Sequence, residues 1–214
     1  MSKELIKRIL SSIILATLAL YFILTGSFHF ILFTIICLLV AMYEWHKMTR
    51  KLNYKILGFI FLLFSFFTFY ESLTDYYLGI FVLLICVATD VGGYLFGKTF
   101  KGPKLTKISP NKTYSGMIGG YFLSIISINF FLSNSHIASP TNITKDIFIF
   151  VLLISTVSQL GDIIISYFKR LSKIKNTGKI IPGHGGLLDR VDGMVFAFPF
   201  SYFILSINLF EFFK

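Results

Sequence analysis

Acidic residues are scarce in this chain. Ten Asp and Glu stand against twenty Lys and Arg in 214 residues, and charged residues of both signs make up only 14%. A soluble domain of this length needs far more polar surface to face water, so the shortage of charge excludes that class. Cysteine is nearly missing too. Cys37 and Cys86 both sit inside apolar runs, which supports neither a disulfide framework nor a zinc site and marks them as packing residues. The start, MSKELIKRIL, runs into a stretch long enough to span a bilayer with no small-residue cleavage site behind it, so no cleavable signal peptide is expected. Internal repeats, frequent in transporters, are not evident.

What fills the chain instead is hydrocarbon. Apolar residues make up 55%, Phe alone occurs 26 times, and the mean hydropathy is +0.78. An integral membrane protein follows, and an all-α polytopic helical bundle is the expected architecture. A spanning helix needs roughly 20 mostly apolar residues. Seven stretches qualify, at about 9–25, 28–44, 56–71, 77–97, 116–133, 147–168 and 194–213. With seven spans, 18 of the 20 basic residues fall on one side of the membrane, and only Lys145 and Lys214 on the other, with Glu71, Asp75 and Asp146. The positive-inside rule then places the N-terminus in the cytoplasm and the C-terminus outside. Setting topology and holding anionic head groups accounts for the basic residues near the N-terminus and for Lys47, Arg50, Lys51 and Lys55. The two later basic loops differ, because they are glycine-rich and adjoin acids that lie within the spans.

Asp90 and Asp162 both fall inside expected helices. An ionisable group at that depth is expensive and is a functional candidate by default, the alternative being a polar contact between helices. From Asp162, helical spacing puts Ser166, Lys169 and Lys173 on one face, a polar stripe running out to a cluster of cations. Gly93 and Gly97 near Asp90 form a small-xxx-small pair, better explained by close helix packing than by function. Ser109-Pro110 marks a turn, after which Lys112 and Thr113 stand just ahead of the next helix. An ammonium, a hydroxyl and free backbone N–H groups there suit a phosphate, although the P-loop spacing is absent.

The stretch IIPGHGGLLDRVDG, residues 180–193, is polar and flexible where the chain is otherwise apolar. Gly185 and Gly186 offer backbone access and positive-φ freedom. Asp189 and Asp192 are three apart and share a face if they open a helix. They suit either a bridging Mg²⁺, with Asp162 as a third oxygen donor, or simple complementation of a helix dipole; spacing does not decide between these. Cations, clustered carboxylates and glycine turns beside a bilayer point to phosphoryl or nucleotidyl transfer onto a membrane lipid.

The segment SYFKRLSKIKNTGKIIPGHGGLLDRVDG, 166–193, closely resembles the signature of the phosphatidate cytidylyltransferases, the CDP-diacylglycerol synthases. Its matching positions are Ser166, Lys169, Arg170, Lys175, Gly178, Pro182, Gly183, His184, Gly185, Gly186, Asp189, Arg190 and Asp192. SPNKTYSG at 109–116 and QLGD at 159–162 are also similar to family segments, and Glu44-Trp45 forms a family-like pair. Asn176 stands where the signature has Asp, and Tyr114 and Ser115 where Trp and Glu are common. The resemblance implies that CTP and phosphatidate give CDP-diacylglycerol and pyrophosphate. It implies Asp162, Asp189 and Asp192 as metal ligands, with Asp90 a weaker candidate. Lys112, Lys169, Arg170 and Arg190 would hold phosphates, Lys175, Gly185 and Gly186 would border the substrate, and Thr113 and Ser166 would donate hydrogen bonds. His184 would shape the loop or touch a phosphate rather than act as a base. Mg²⁺ is the implied cofactor, and a second, monovalent cation such as K⁺ is allowed beside it. The expected partners are CTP, phosphatidate and membrane lipids, with no nucleic acid; a homodimer is allowed. Residues 1–75 would supply three N-terminal spans and 76–214 the catalytic membrane domain, in a bacterial inner membrane with the site facing the cytoplasm. The rival functions are a CTP-dependent lipid or polyprenol kinase and a cation transporter using Asp90 and Asp162.

Overall fold

A computed structural model describes residues 17–19, 21–23, 25–74, 76–134, 143–181, 185–207 and 209–210. Its elements are α1 (Ser27–Met48), α2 (Leu52–Thr74), α3 (Tyr76–Phe100), α4 (Tyr114–Asn134), α5 (Lys145–Leu171), the single turn α6 (Leu188–Val191) and α7 (Met194–Ser206). No strand occurs among the described residues; two isolated bridges, Lys104 with Thr113 and Ile181 with Gly185, close loops. The five helices α1 to α5 are long and apolar enough to cross a membrane, which makes the protein an all-α integral membrane bundle.

Each of these five runs past its expected ends, because the flanking polar residues continue the helix after hydropathy has fallen. The first expected span, about 9–25, lies largely outside the described residues. The last differs from expectation: α7 has 13 residues and carries Pro199 inside it, shorter than a bilayer crossing needs. Large side chains such as Leu39, Ile60 and Phe130 are exposed on the spanning helices. In a bilayer these surfaces meet lipid tails, so they need no protein cover.

The chain divides into two compact units. The first comprises residues up to Tyr70 together with Phe168–Val191. Here α1 and α2 close on Trp45, whose indole N–H donates to the Tyr54 carbonyl at 3.0 Å and whose ring meets Phe168 edge-on at 4.9 Å. Gly58 makes that fit possible, since a methyl at this position would lie 1.9 Å from the indole nitrogen. The Ser172 hydroxyl ties the segment after α5 to the Met48 carbonyl.

The second unit comprises Glu71–Tyr167 and Asp192–Lys214. Its α3 and α4 approach backbone to backbone: a methyl on Gly116 would sit 2.7 Å from the Gly93 carbonyl oxygen, and one on Gly92 2.3 Å from that of Gly119. Of the expected packing pair, Gly97 is tight, a methyl there lying 3.1 Å from Thr113 Oγ1, whereas one on Gly93 would meet only an ordinary contact at 3.7 Å from the Gly116 carbonyl oxygen. A buried hydrogen bond from Thr89 to Ser155 at 2.8 Å joins α3 to α5. Gly161 of α5 accommodates Phe196 and the Asp192 carbonyl, and Gly193 sits against Ser158, so α7 starts on the polar stretch of α5.

Candidate active site

Within the second unit, two motifs far apart in sequence meet. The Lys112 ammonium lies 2.5 Å from Asp162 Oδ2 and 3.4 Å from the Gln159 carbonyl. Ser166, buried one turn further along α5, donates to Asp162 Oδ1 at 3.3 Å. Thr113 serves as the N-cap of α4, its Oγ1 accepting the Gly116 N–H at 3.1 Å. Asp192 is buried and its Oδ1 accepts the Gly193 N–H at 3.0 Å. Asp90 lies exposed on α3.

Within the first unit, Lys169 and Asp189 form a mostly buried pair at 2.8 Å, their side chains 11% and 7% exposed. Asp189 Oδ1 takes the ammonium, and Oδ2 accepts the backbone N–H groups of Thr177 at 2.8 Å and Gly186 at 3.1 Å. Burial pushes this carboxyl upward, but the Lys169 hydrogen bond and charge, with the Gly186 and Thr177 N–H groups, outweigh it and hold the pKa below the ordinary 3.8. Arg170, Lys175 and Arg190 are exposed at the surface of this unit. Gly185 has φ +97°, so it needs glycine for its backbone; Gly186 instead faces Thr177 and Glu44, where a side chain would collide. His184, with Pro182 and Gly183, lies outside the described residues.

Two expectations change. The polar stripe from Asp162 ends at Lys169. Helix α5 stops at Leu171, and Lys173, with φ 56°, is the left-handed residue of a Schellman cap in which Ile174 N–H bonds to the Lys169 carbonyl and Lys173 N–H to that of Arg170, both at 3.0 Å. Nor do Asp189 and Asp192 open one helix together. Asp189 belongs to the single turn α6, and Asp192 follows it in a turn ahead of α7.

Sequence reasoning gave Glu44 no role at the site. This residue near the end of α1 is fully buried, and its carboxylate accepts three hydrogen bonds, from Leu187 N, Leu188 N and Thr177 Oγ1, each at 2.9 Å. The signal was present: an acid inside an apolar helix is as conspicuous at 44 as at 90 and 162.

Two of the carboxylates implied as ligands for magnesium, Asp162 and Asp189, are engaged by other donors. Among the described residues no three His, Cys, Asp or Glu side chains are gathered to hold a metal ion. Both oxygens of Asp189 already have donors, and so do both oxygens of Asp162. An ion binding either carboxylate through those lone pairs competes with a lysine.

The fold and these charged clusters define an α-helical integral membrane protein whose polar groups gather at helix ends and in a glycine-rich loop. Residues 53–208 match the model of the cytidylyltransferase family. The phosphatidate cytidylyltransferase of Rickettsia felis is 37% identical over 210 residues, covering 92% of this chain and 90% of that protein. The protein of the same name from Rickettsia prowazekii is 33% identical, covering 94% and 92%. That of Haemophilus influenzae is 41% identical over 137 residues, covering 60% of this chain and 47% of its own length. The chain belongs to the cytidylyltransferase family.

Proposed function

We propose that this protein transfers the cytidylyl group of CTP to phosphatidate, forming CDP-diacylglycerol and pyrophosphate. The observation that carries the proposal is the family match over 53–208, together with relatives named for this activity that align with nine-tenths of the chain. The residues suit the chemistry. A phosphatidate oxygen attacks the α-phosphorus of CTP and forms a new P–O bond. The bond from the α-phosphorus to its bridging oxygen breaks, and pyrophosphate leaves with the electron pair. A phosphate monoester is already anionic near neutral pH, so no strong general base is required. The barrier lies in bringing anions together and in charge on the leaving group.

Lysines answer both needs. Lys169 is paired with and oriented by Asp189, and Lys112 by Asp162. In the proposed reaction a substrate phosphate draws the Lys169 ammonium from Asp189, while Arg170 and Arg190 of the same unit take further phosphate charge. The N-terminus and the basic loops face the cytoplasm across a bacterial inner membrane, supported by the concentration of basic residues in alternate connections. Purified protein given labelled CTP and phosphatidate should yield CDP-diacylglycerol. Folded protein that makes none in suitable detergent with divalent cation supplied sinks the proposal.

A further inference from the structure

The geometry points to Glu44 as a positioning residue that clamps the glycine-rich loop and, through it, sets the place of the Lys169 ammonium. This inference rests on the cytidylyl-transfer proposal for its kinetic consequence and on the structure alone for the clamp.

The three donors to Glu44 come from both ends of one loop. Thr177 precedes the glycine turn, and Leu187 and Leu188 follow it. A single carboxylate from α1 therefore ties together residues ten and eleven positions apart. Between them Ile181 and Gly185 exchange backbone hydrogen bonds at 2.9 and 3.1 Å. Asp189 closes the same loop from within, accepting from Thr177 N and Gly186 N while its other oxygen holds Lys169. Thr177 is the shared element: its hydroxyl goes to Glu44 and its N–H to Asp189. Force on the clamp thus passes to Asp189 and on to the ammonium it orients.

Two glycines exist in this loop to admit the carboxylate. A methyl on Gly178 would lie 2.5 Å from Glu44 Oε1, and one on Gly186 2.4 Å from Oε2 and 2.1 Å from Thr177 Oγ1. Burying a carboxylate is costly, and stability alone is served as well by apolar packing. A fully buried acid whose two oxygens are both satisfied by the two ends of one loop specifies how those ends meet. Glu44 also precedes the stretch matched by the family model, which begins at residue 53.

The test uses Glu44→Gln, Thr177→Val and Thr177→Ser in the full chain. Gln keeps the size but turns one oxygen into a donor, so in either orientation an NH₂ faces a backbone N–H. Trypsin cleavage after Lys175 and Lys179 reads the loop directly, and CTP kinetics, normalised to folded protein, read its consequence. In Glu44→Gln, cleavage should quicken by about tenfold or more, and kcat/KM for CTP should fall by about 10- to 100-fold, the scale of a mispositioned group. Thr177→Val should shift both in the same direction, and Thr177→Ser, which keeps the hydroxyl, should restore both. If Glu44→Gln does not fold, the Thr177 pair carries the test. Parental cleavage rates in Glu44→Gln or, where it does not fold, in Thr177→Val overturn the clamp. Faster cleavage with unchanged kcat and KM overturns the link to Lys169. A parental protein that makes no CDP-diacylglycerol overturns the cytidylyl-transfer proposal instead, while the cleavage rates still decide the clamp.

Discussion

Asp189→Asn is the most informative single change, because the geometry dictates how the amide must sit. One oxygen of Asp189 takes two backbone N–H groups and the other takes Lys169. Asn keeps the two N–H bonds by turning its carbonyl toward them, and this aims its NH₂ at the Lys169 ammonium. The variant therefore loses a charge-assisted bond, worth about 1.5–3 kcal/mol, and leaves a cation facing a donor. Breaking a buried pair costs about 3–5 kcal/mol, whereas an exposed one is worth no more than about 1. With side chains 11% and 7% exposed, the pair stands close to the buried limit but keeps some water contact. A loss of about 2–3 kcal/mol is expected, which raises the opening of the loop by about 30- to 140-fold at 1.4 kcal/mol per factor of ten. Hydrogen exchange at the Thr177 and Gly186 amides measures that opening. Lys169→Met in the same molecule removes the stranded cation, so the double variant should exchange more slowly than the product of the single effects, with a coupling of about 2 kcal/mol. Purely additive effects, or unchanged exchange in Asp189→Asn, refute the reasoning. CTP-dependent activity should fall in the same variant.

Three further outcomes follow from the geometry. Gly186→Ala puts a methyl 2.4 Å from Glu44 Oε2 and should destabilise the loop by about 1–3 kcal/mol, seen as faster amide exchange at Leu187 and Leu188. Lys173→Gly relieves a left-handed backbone at φ 56° and should raise thermal stability by about 1 kcal/mol; a lower unfolding temperature contradicts the cap. Asp189 binds its proton less tightly folded than unfolded, so opening the loop takes up a proton and acid favours opening. Loop protection should hold from neutral pH down to the ordinary carboxylate range and erode as pH falls below about 4, while protection that erodes as pH rises contradicts the sign.

Five spanning helices were legible because long apolar runs contrast sharply with the basic loops between them. The end of the chain was less so: residues 194–213 are apolar, yet hydropathy does not separate a spanning helix from the 13-residue α7. The Lys112–Asp162 and Lys169–Asp189 pairs involve residues already singled out, but the pairing itself came only from the fold. Lys173 was misplaced because a left-handed cap usually announces itself with glycine, and here a lysine occupies it. Glu44 is the instructive case. Its partners lie 133 to 144 residues away, so no local pattern carries the contact, although its chemical oddity inside an apolar helix was readable.

The proposed reaction is tested most directly by following the phosphates of CTP. With phosphatidate and purified protein, label on the α-phosphorus should enter the lipid, and label on the γ-phosphorus should leave as pyrophosphate. Gamma label in the lipid with release of CDP contradicts cytidylyl transfer and makes the protein a CTP-dependent lipid kinase.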